Sequence, residues 1–225
     1  MTKEKTKKGD ASAHGDTTIF RILSPMPFNA RVEPMWHNVD RIKRKLNLIQ
    51  WVKERGRVRR IVELVNDGLR GQGLSPDGWD KGDGSCMCNL RLDRRGVLQD
   101  LQAYARDCFP DSNIAHLYVA RDKNAFYLPI DFPMPIFVKD GKHDVPVGSA
   151  IRLRDEMEIL KPALQSDEFL DSKKMVAYFH ASQKEVAKLE TKAQYDPQFW
   201  AKFGAVLLSK LLDASLDNKM PIIFA

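Results

Sequence analysis

The 225-residue chain is predicted to fold as an α+β protein, a small, mostly antiparallel sheet packed against N-terminal and C-terminal helices. Three observations lead there. Apolar residues recur at helical spacing before residue 70 and again after residue 149; a β-prone stretch cut by turn residues lies between 114 and 147; and the composition, 43% hydrophobic and 29% charged, is that of a chain able to bury a core. The length fits one or two domains. The division read here is a flexible basic tail over residues 1–18 and a single α+β domain over residues 19–225.

The tail has almost no apolar side chain, so burial cannot offset the entropy of ordering it. The run TIFRIL from Thr18 to Leu23 is β-prone and predicts a short strand, which Pro25 and Pro27 end by removing donors and fixing φ. An irregular link follows. From Val39 to Leu69 the spacing turns helical, with Ile42, Leu46, Ile49 and Val52 before Gly56 and Val58, Ile61, Val62, Val65 and Leu69 after it. Two helices meeting near Gly56 are expected. A single kinked helix is the alternative, since an interior glycine costs only about 1 kcal/mol. Six glycines between Gly68 and Gly84 mark a loop, long enough to be a boundary or a binding loop.

Asp93 is expected to cap a helix reaching about Cys108, with Val97, Leu98, Leu101 and Tyr104 on one side and Pro110 as its stop. Strands are then expected at IAHLYVA from Ile114, AFYLPID from Ala125, PIFV from Pro135 and DVPV from Asp144. The turn sequences DKN and KDGKHD predict antiparallel pairing. Pro129, Pro133, Pro135 and Pro146 cannot donate to a ladder and are expected at edges or strand ends. Ser149 is placed as the N-cap of a helix carrying Leu153, Met157 and Leu160, which Pro162 closes or kinks. A further helical segment covers about Asp171 to Lys192. The last begins with Asp196 as cap and Pro197 at the first helical position, and buries a face of Phe199, Trp200, Phe203, Val206, Leu207 and Leu211. The closing MPIIFA reads as a short strand that docks into the sheet.

The net charge of +6 is unevenly spread: residues 1–61 hold 15 basic and six acidic side chains, which leaves the rest of the chain at −3. Nine basic residues against the single acid Glu54 lie between Arg41 and Ile61. Arg41, Lys43, Arg44, Lys45, Arg55, Arg57, Arg59 and Arg60 are therefore the candidate binding residues, a footprint suited to nucleic acid, an anionic membrane face or an acidic protein. A helix starting at Gly56 would hold Arg57, Arg59 and Arg60 in its first turn, where the macrodipole disfavours each by about 0.3–1 kcal/mol. Charge that opposes the fold marks a place to look for function. The outline also fits a helix-turn-helix. Against this, Arg59 with Glu63 and Asp67 with Arg70 give the same helix a mixed, solvated face.

The five histidines fall in no HExxH or HxH pattern, and no GxSxG, Walker A or helix-opening GxGxxG is present; no recognisable catalytic class, cofactor or metal is expected. Cys86 and Cys88 supply one short pair, whereas structural zinc wants four ligands. The loop from Asp77 to Gly84 fails the calcium register, with Gly82, Gly84 and Arg91 where ligands belong. Three cysteines cannot all pair, and no apolar leader opens the chain, so a reducing cytoplasm is expected. No apolar run approaches the roughly 18–20 residues of a membrane span. The apolar, proline-rich stretch from Leu128 to Val138 either packs under the C-terminal helices or forms a contact patch on a sheet edge.

The function expected from these observations is a non-catalytic cytoplasmic binding protein of the adaptor or immunity kind. In size and class it is like a bacterial accessory protein, and its partner is another protein. The alternative is a nucleic-acid-binding protein that uses the basic tail and the helix pair at 41–70.

Overall fold

The computed structural model describes residues 28–35, 48–79, 86–92, 94, 96–109, 114–120, 125–141, 143–164, 183–194 and 196–224. Its strands are β1 (Phe28–Val32), β2 (Cys88–Leu92), β3 (Ala125–Leu128), β4 (Ile136–Asp140), β5 (His143–Ser149) and β6 (Ile222–Phe224). Its α-helices are α1 (Leu48–Gly71), α2 (Val97–Cys108), α3 (Ala150–Leu164), α4 (Gln183–Ala193) and α5 (Phe199–Asn218), with a 3-10 turn at Leu117–Val119. The strands form one sheet in the order β2-β1-β6-β3-β5-β4. All neighbours are antiparallel except β3 and β5, so the α+β class expected from the sequence is what the chain adopts.

Alternation along the strands sends side chains to two helical layers. Ala125, Tyr127, Ile222 and Phe224 face a core shared with α2, α3, α4 and α5, through Leu98, Leu101, Leu153, Leu189, Phe203 and Leu207. Phe126, Leu128, Val145, Val147 and Ile223 face the other way, onto Ile61, Val65 and Leu69 of α1. The stretch from Leu128 to Val138 therefore packs beneath the N-terminal helix, not the C-terminal ones. Phe132, Ile136 and Val138 are buried there, while Met134 and Phe137 remain exposed.

Several expectations change. Gly56 joins no pair of helices: α1 runs unbroken through it, and a Cβ at that position would meet nothing. β1 and β2 were not expected at all. The segment from Ile114 is a 3-10 turn rather than a strand, because side chains from elsewhere serve its backbone. α2 opens at Val97 behind Gly96, whose φ of 79° suits glycine; Asp93 and Pro110 lie outside the described residues, as do the tail at 1–18, the strand at 18–23 and the start of the helix at 171. Pro146 sits inside β5, second from the edge, and not at a rim.

Other features hold. The amide of Arg152 donates to Ser149 Oγ at 3.1 Å, so Ser149 caps α3 as expected. One start moves: Asp196 and Pro197 were expected as cap and first helical residue, but regular helix begins at Phe199 behind Gln198, which makes no side-chain cap bond, and Asp196 only receives the Gln198 amide on its carboxylate at 2.9 Å in the preceding turn. The last strand, β6, docks between β1 and β3. No helix among the described residues is long and apolar enough to cross a membrane.

Candidate functional site

Arg41, Lys43, Arg44 and Lys45 lie outside the described residues. Arg55, Arg57, Arg59 and Arg60 all sit on α1, in its interior and not at its N-terminus. The conflict with the macrodipole therefore vanishes, and with it the helix-turn-helix outline. Helical spacing also separates the four. Arg57 Nε and Arg60 Nη2 both reach the carboxylate of Asp140 on β4, the latter at 3.5 Å, and Arg57 lies 3.6 Å from Glu54. Arg55 lies over the Trp51 ring, 5.3 Å from its centroid. Two of the expected binding residues thus clamp the helix to an edge strand of its own sheet. Asp140, only 9% exposed, is also an inward-pointing charge of the kind that discourages edge-to-edge pairing.

The most chemically varied cluster lies under α3, and sequence reasoning did not assemble it. Both carboxylate oxygens of Glu156 accept backbone amides, from His116 at 2.9 Å and Leu117 at 2.7 Å. The His116 ring accepts the Ser149 amide on Nδ1 at 3.0 Å and donates from Nε2 to the Pro133 carbonyl at 3.2 Å. Tyr127 donates its hydroxyl to the His116 carbonyl at 2.7 Å, and Ser149 donates its own to the Ile130 carbonyl at 2.7 Å. Arg152 holds Asp131 through two contacts, at 2.6 and 3.2 Å. Ser149 and His116 look like a nucleophile and base, yet Ser149 Oγ faces a carbonyl while the ring faces the Ser149 amide. Each group is spent on holding the chain together. Burial pushes the imidazole below its ordinary range and lifts the Glu156 carboxyl to about 7, against two amides that favour its charged form.

The cysteines are free. Burial raises the thiols of Cys86 and Cys88, and the nearby Glu33 adds to the rise at Cys86, so neither is activated as a nucleophile. No three His, Cys, Asp or Glu side chains converge among the described residues.

A charge conflict with the macrodipole does exist, at the C-terminal end of α5. Asp213 and Asp217 stand four residues apart on the exposed side of α5, in its last two turns, and no basic residue occupies the last turn. Like charges at this spacing repel, and the negative end of the macrodipole disfavours Asp217 in the last turn. Other helical acids at such spacing are partly neutralised: Asp67 pairs with Arg70 at 2.7 Å and Glu158 with Lys161 at 2.5 Å. Among the described residues, neither Asp213 nor Asp217 has an ion-pair partner. The sequence carried the signal, an Asp-x-x-x-Asp near the end of its strongest helix.

Residues 57–224 match the model of one protein family, described as "Putative DNA-mimic protein". The chain belongs to that family. No curated protein and no solved structure matches it. Membership in a DNA-mimic family overturns the adaptor or immunity protein expected from the sequence, fits the nucleic-acid-binding alternative only loosely, and leaves a protein as the kind of partner. A mimic carries the character of DNA instead of receiving DNA. The reason for the error is where the charge lies: the matched segment holds 24 basic and 24 acidic residues, and the whole +6 belongs to residues 1–56. The basic stretch from Arg41 to Arg60 is largely outside the family's own segment.

Proposed function

We propose that the chain acts as a DNA mimic, occupying the DNA-contacting surface of a DNA-binding protein with its exposed carboxylates. The observation that carries this reading is the family match over residues 57–224. The arrangement of charge supports it. Within a segment of zero net charge, arginines at 57, 60, 70 and 152 are drawn into ion pairs, while Glu63, Asp155, Asp213 and Asp217 face solvent with no ion-pair partner among the described residues. Asp213 and Asp217 are separated by about 6 Å along their helix, between one and two phosphate steps of a single strand at about 3.4 Å each. They keep that spacing at a cost to the helix, which is expected where binding rather than stability has set the charge. The partner is then a protein, with a basic surface shaped to phosphates.

The test is competition. Host DNA-binding proteins, each bound to a fluorescent duplex, are titrated with the chain. Release of the duplex from at least one of them, weakening with salt and reduced roughly tenfold or more in Asp213→Asn/Asp217→Asn, supports the reading. Direct binding of the chain to the duplex, or failure to displace it from any of them, overturns it.

A further inference from the structure

The His116 ring, 2% exposed, sits where three parts of the chain meet. Its Nδ1 accepts the amide of Ser149, at the end of β5 and the start of α3, and its Nε2 meets the Pro133 carbonyl in the connection between β3 and β4. The Phe132 ring of the same connection stands edge-on to it, 5.6 Å between centroids at 73°. An amide can only donate and a carbonyl can only accept, so the two bonds together fix one form of the ring, the neutral Nε2–H imidazole. Neither bond is a rung between strands. The connection is also tied to α3 by Ser149 Oγ on the Ile130 carbonyl and by Arg152 on Asp131. Those ties keep their donors and acceptors when the imidazole gains a proton. The ring does not: a proton on Nδ1 sets N–H against the Ser149 N–H and leaves a buried donor facing a donor.

We propose that His116 is an acid-sensitive latch: one proton taken from solvent onto its Nδ1 frees the connection between β3 and β4 from the start of α3 while the rest of the fold stays closed. The closed state needs Nδ1 bare, as the acceptor of the Ser149 amide. The open state hydrates the ring and lets both nitrogens carry hydrogen.

The sign of the pH dependence follows. The open ring protonates at its ordinary 6.5, the closed ring only at lower pH, because burial, with Arg152 adding to it, outweighs the Pro133 and Phe132 carbonyls and Asp131. The latch therefore holds in full above about 6.5. As the pH falls below that, its opening constant rises by up to about tenfold per unit, until the closed ring itself takes the proton. The groups around the ring leave this sign in place. Arg152 of α3 and Asp131 of the connection act on it in opposite senses and pair with each other. Glu156 of α3 gives both carboxylate oxygens to the amides of His116 and Leu117, and Tyr127 of β3 gives its hydroxyl to the His116 carbonyl, so neither bonds to the ring.

The test is residue-resolved hydrogen exchange of the full chain between about pH 4.5 and 7.5, corrected for the intrinsic pH dependence of exchange, in wild type and His116→Asn. The asparagine offers the Ser149 amide a carbonyl acceptor that does not titrate, and any titration of Glu156 is common to both proteins and cancels in their ratio. Below about pH 6.5, protection of the amides of Ser149, Asp131 and Phe132 is expected to fall in wild type relative to His116→Asn by up to about tenfold per unit, while the amide of Leu207 in α5 keeps its protection. A ratio that stays flat overturns the proposal, and so does Leu207 losing protection in step with Ser149, which would mean that the region opens only with the whole fold. Should His116→Asn fail to fold, a nitrogen NMR titration of the wild type decides. An Nε2–H imidazole in the folded chain, with Ser149 protection that falls below about pH 6.5, supports the latch; an imidazolium with Ser149 still protected, or protection level across the range, overturns it.

Discussion

Gly148 shows how tightly single atoms are set in this sheet. A Cβ there would overlap the Tyr127 ring, 2.6 Å from Cδ1 and closer still to Cε1. That ring is itself pinned by its hydroxyl on His116 and lies on the parallel partner strand, opposite Gly148 in register. Gly148→Ala is expected to cost about 1–3 kcal/mol by overpacking, read as a lower urea midpoint with an unchanged slope. At this scale the sequence was only partly legible. Ser149 was readable as a cap because its acceptor role is local, three residues from the amide it serves. His116 could not be placed, since the groups that fix its ring lie 17 and 33 residues away in the chain. For the same reason IAHLYVA looked like a strand. Its β-prone composition was visible, and the carboxylate that satisfies its turn, Glu156, was not.

Among the elements, α5 buries the face the sequence assigned it, while two arginines of α1 turn to their own sheet. The arginines of α1 work inward: Arg57 and Arg60 hold Asp140, and Asp140→Ala is expected to cost about 1–2 kcal/mol, discounted for the exposure of both arginines. Thermal unfolding of that variant, alone and with Arg57→Ala, checks that the loss runs through the pair. The acids of α5 work outward. Asp213→Asn/Asp217→Asn is expected to stabilise the fold by about 0.5–1 kcal/mol, because it removes a like-charge pair from the negative end of a helix. The same variant loses competition with DNA, so stability and function move in opposite directions. The helix break at Gly56 was misread because apolar spacing continues on both sides of it, yet Ile49 and Val52 are exposed while Ile61, Val65 and Leu69 are buried. Spacing alone does not tell a core stripe from an outer one. β1 and β2 escaped notice because Asn29, Arg31, Asn89 and Arg91 interrupt short five-residue strands. Their alternation, with Phe28, Ala30, Val32, Leu90 and Leu92 inward, was the signal available.

On the scale of the whole molecule, the sheet has two parts, β2-β1 and β3-β5-β4, and β6 alone lies between them. Ile222 and Phe224 enter the core on one side and Ile223 on the other. Ile223→Ala is expected to cost about 2–5 kcal/mol, and hydrogen exchange should rise in both parts of the sheet together, since neither is bonded to the other without this strand. The docking of MPIIFA was legible from its composition; its central position was not, because strand order depends on contacts across nearly the whole chain. That position also sets a timetable for synthesis. β1 is among the first of the described elements to leave the ribosome and β6 is the last, and their pairing spans about 190 residues. Until those three residues emerge, the nascent chain carries two half-sheets with open inner edges, and it depends on the ribosome and its attendants to keep them apart from other chains.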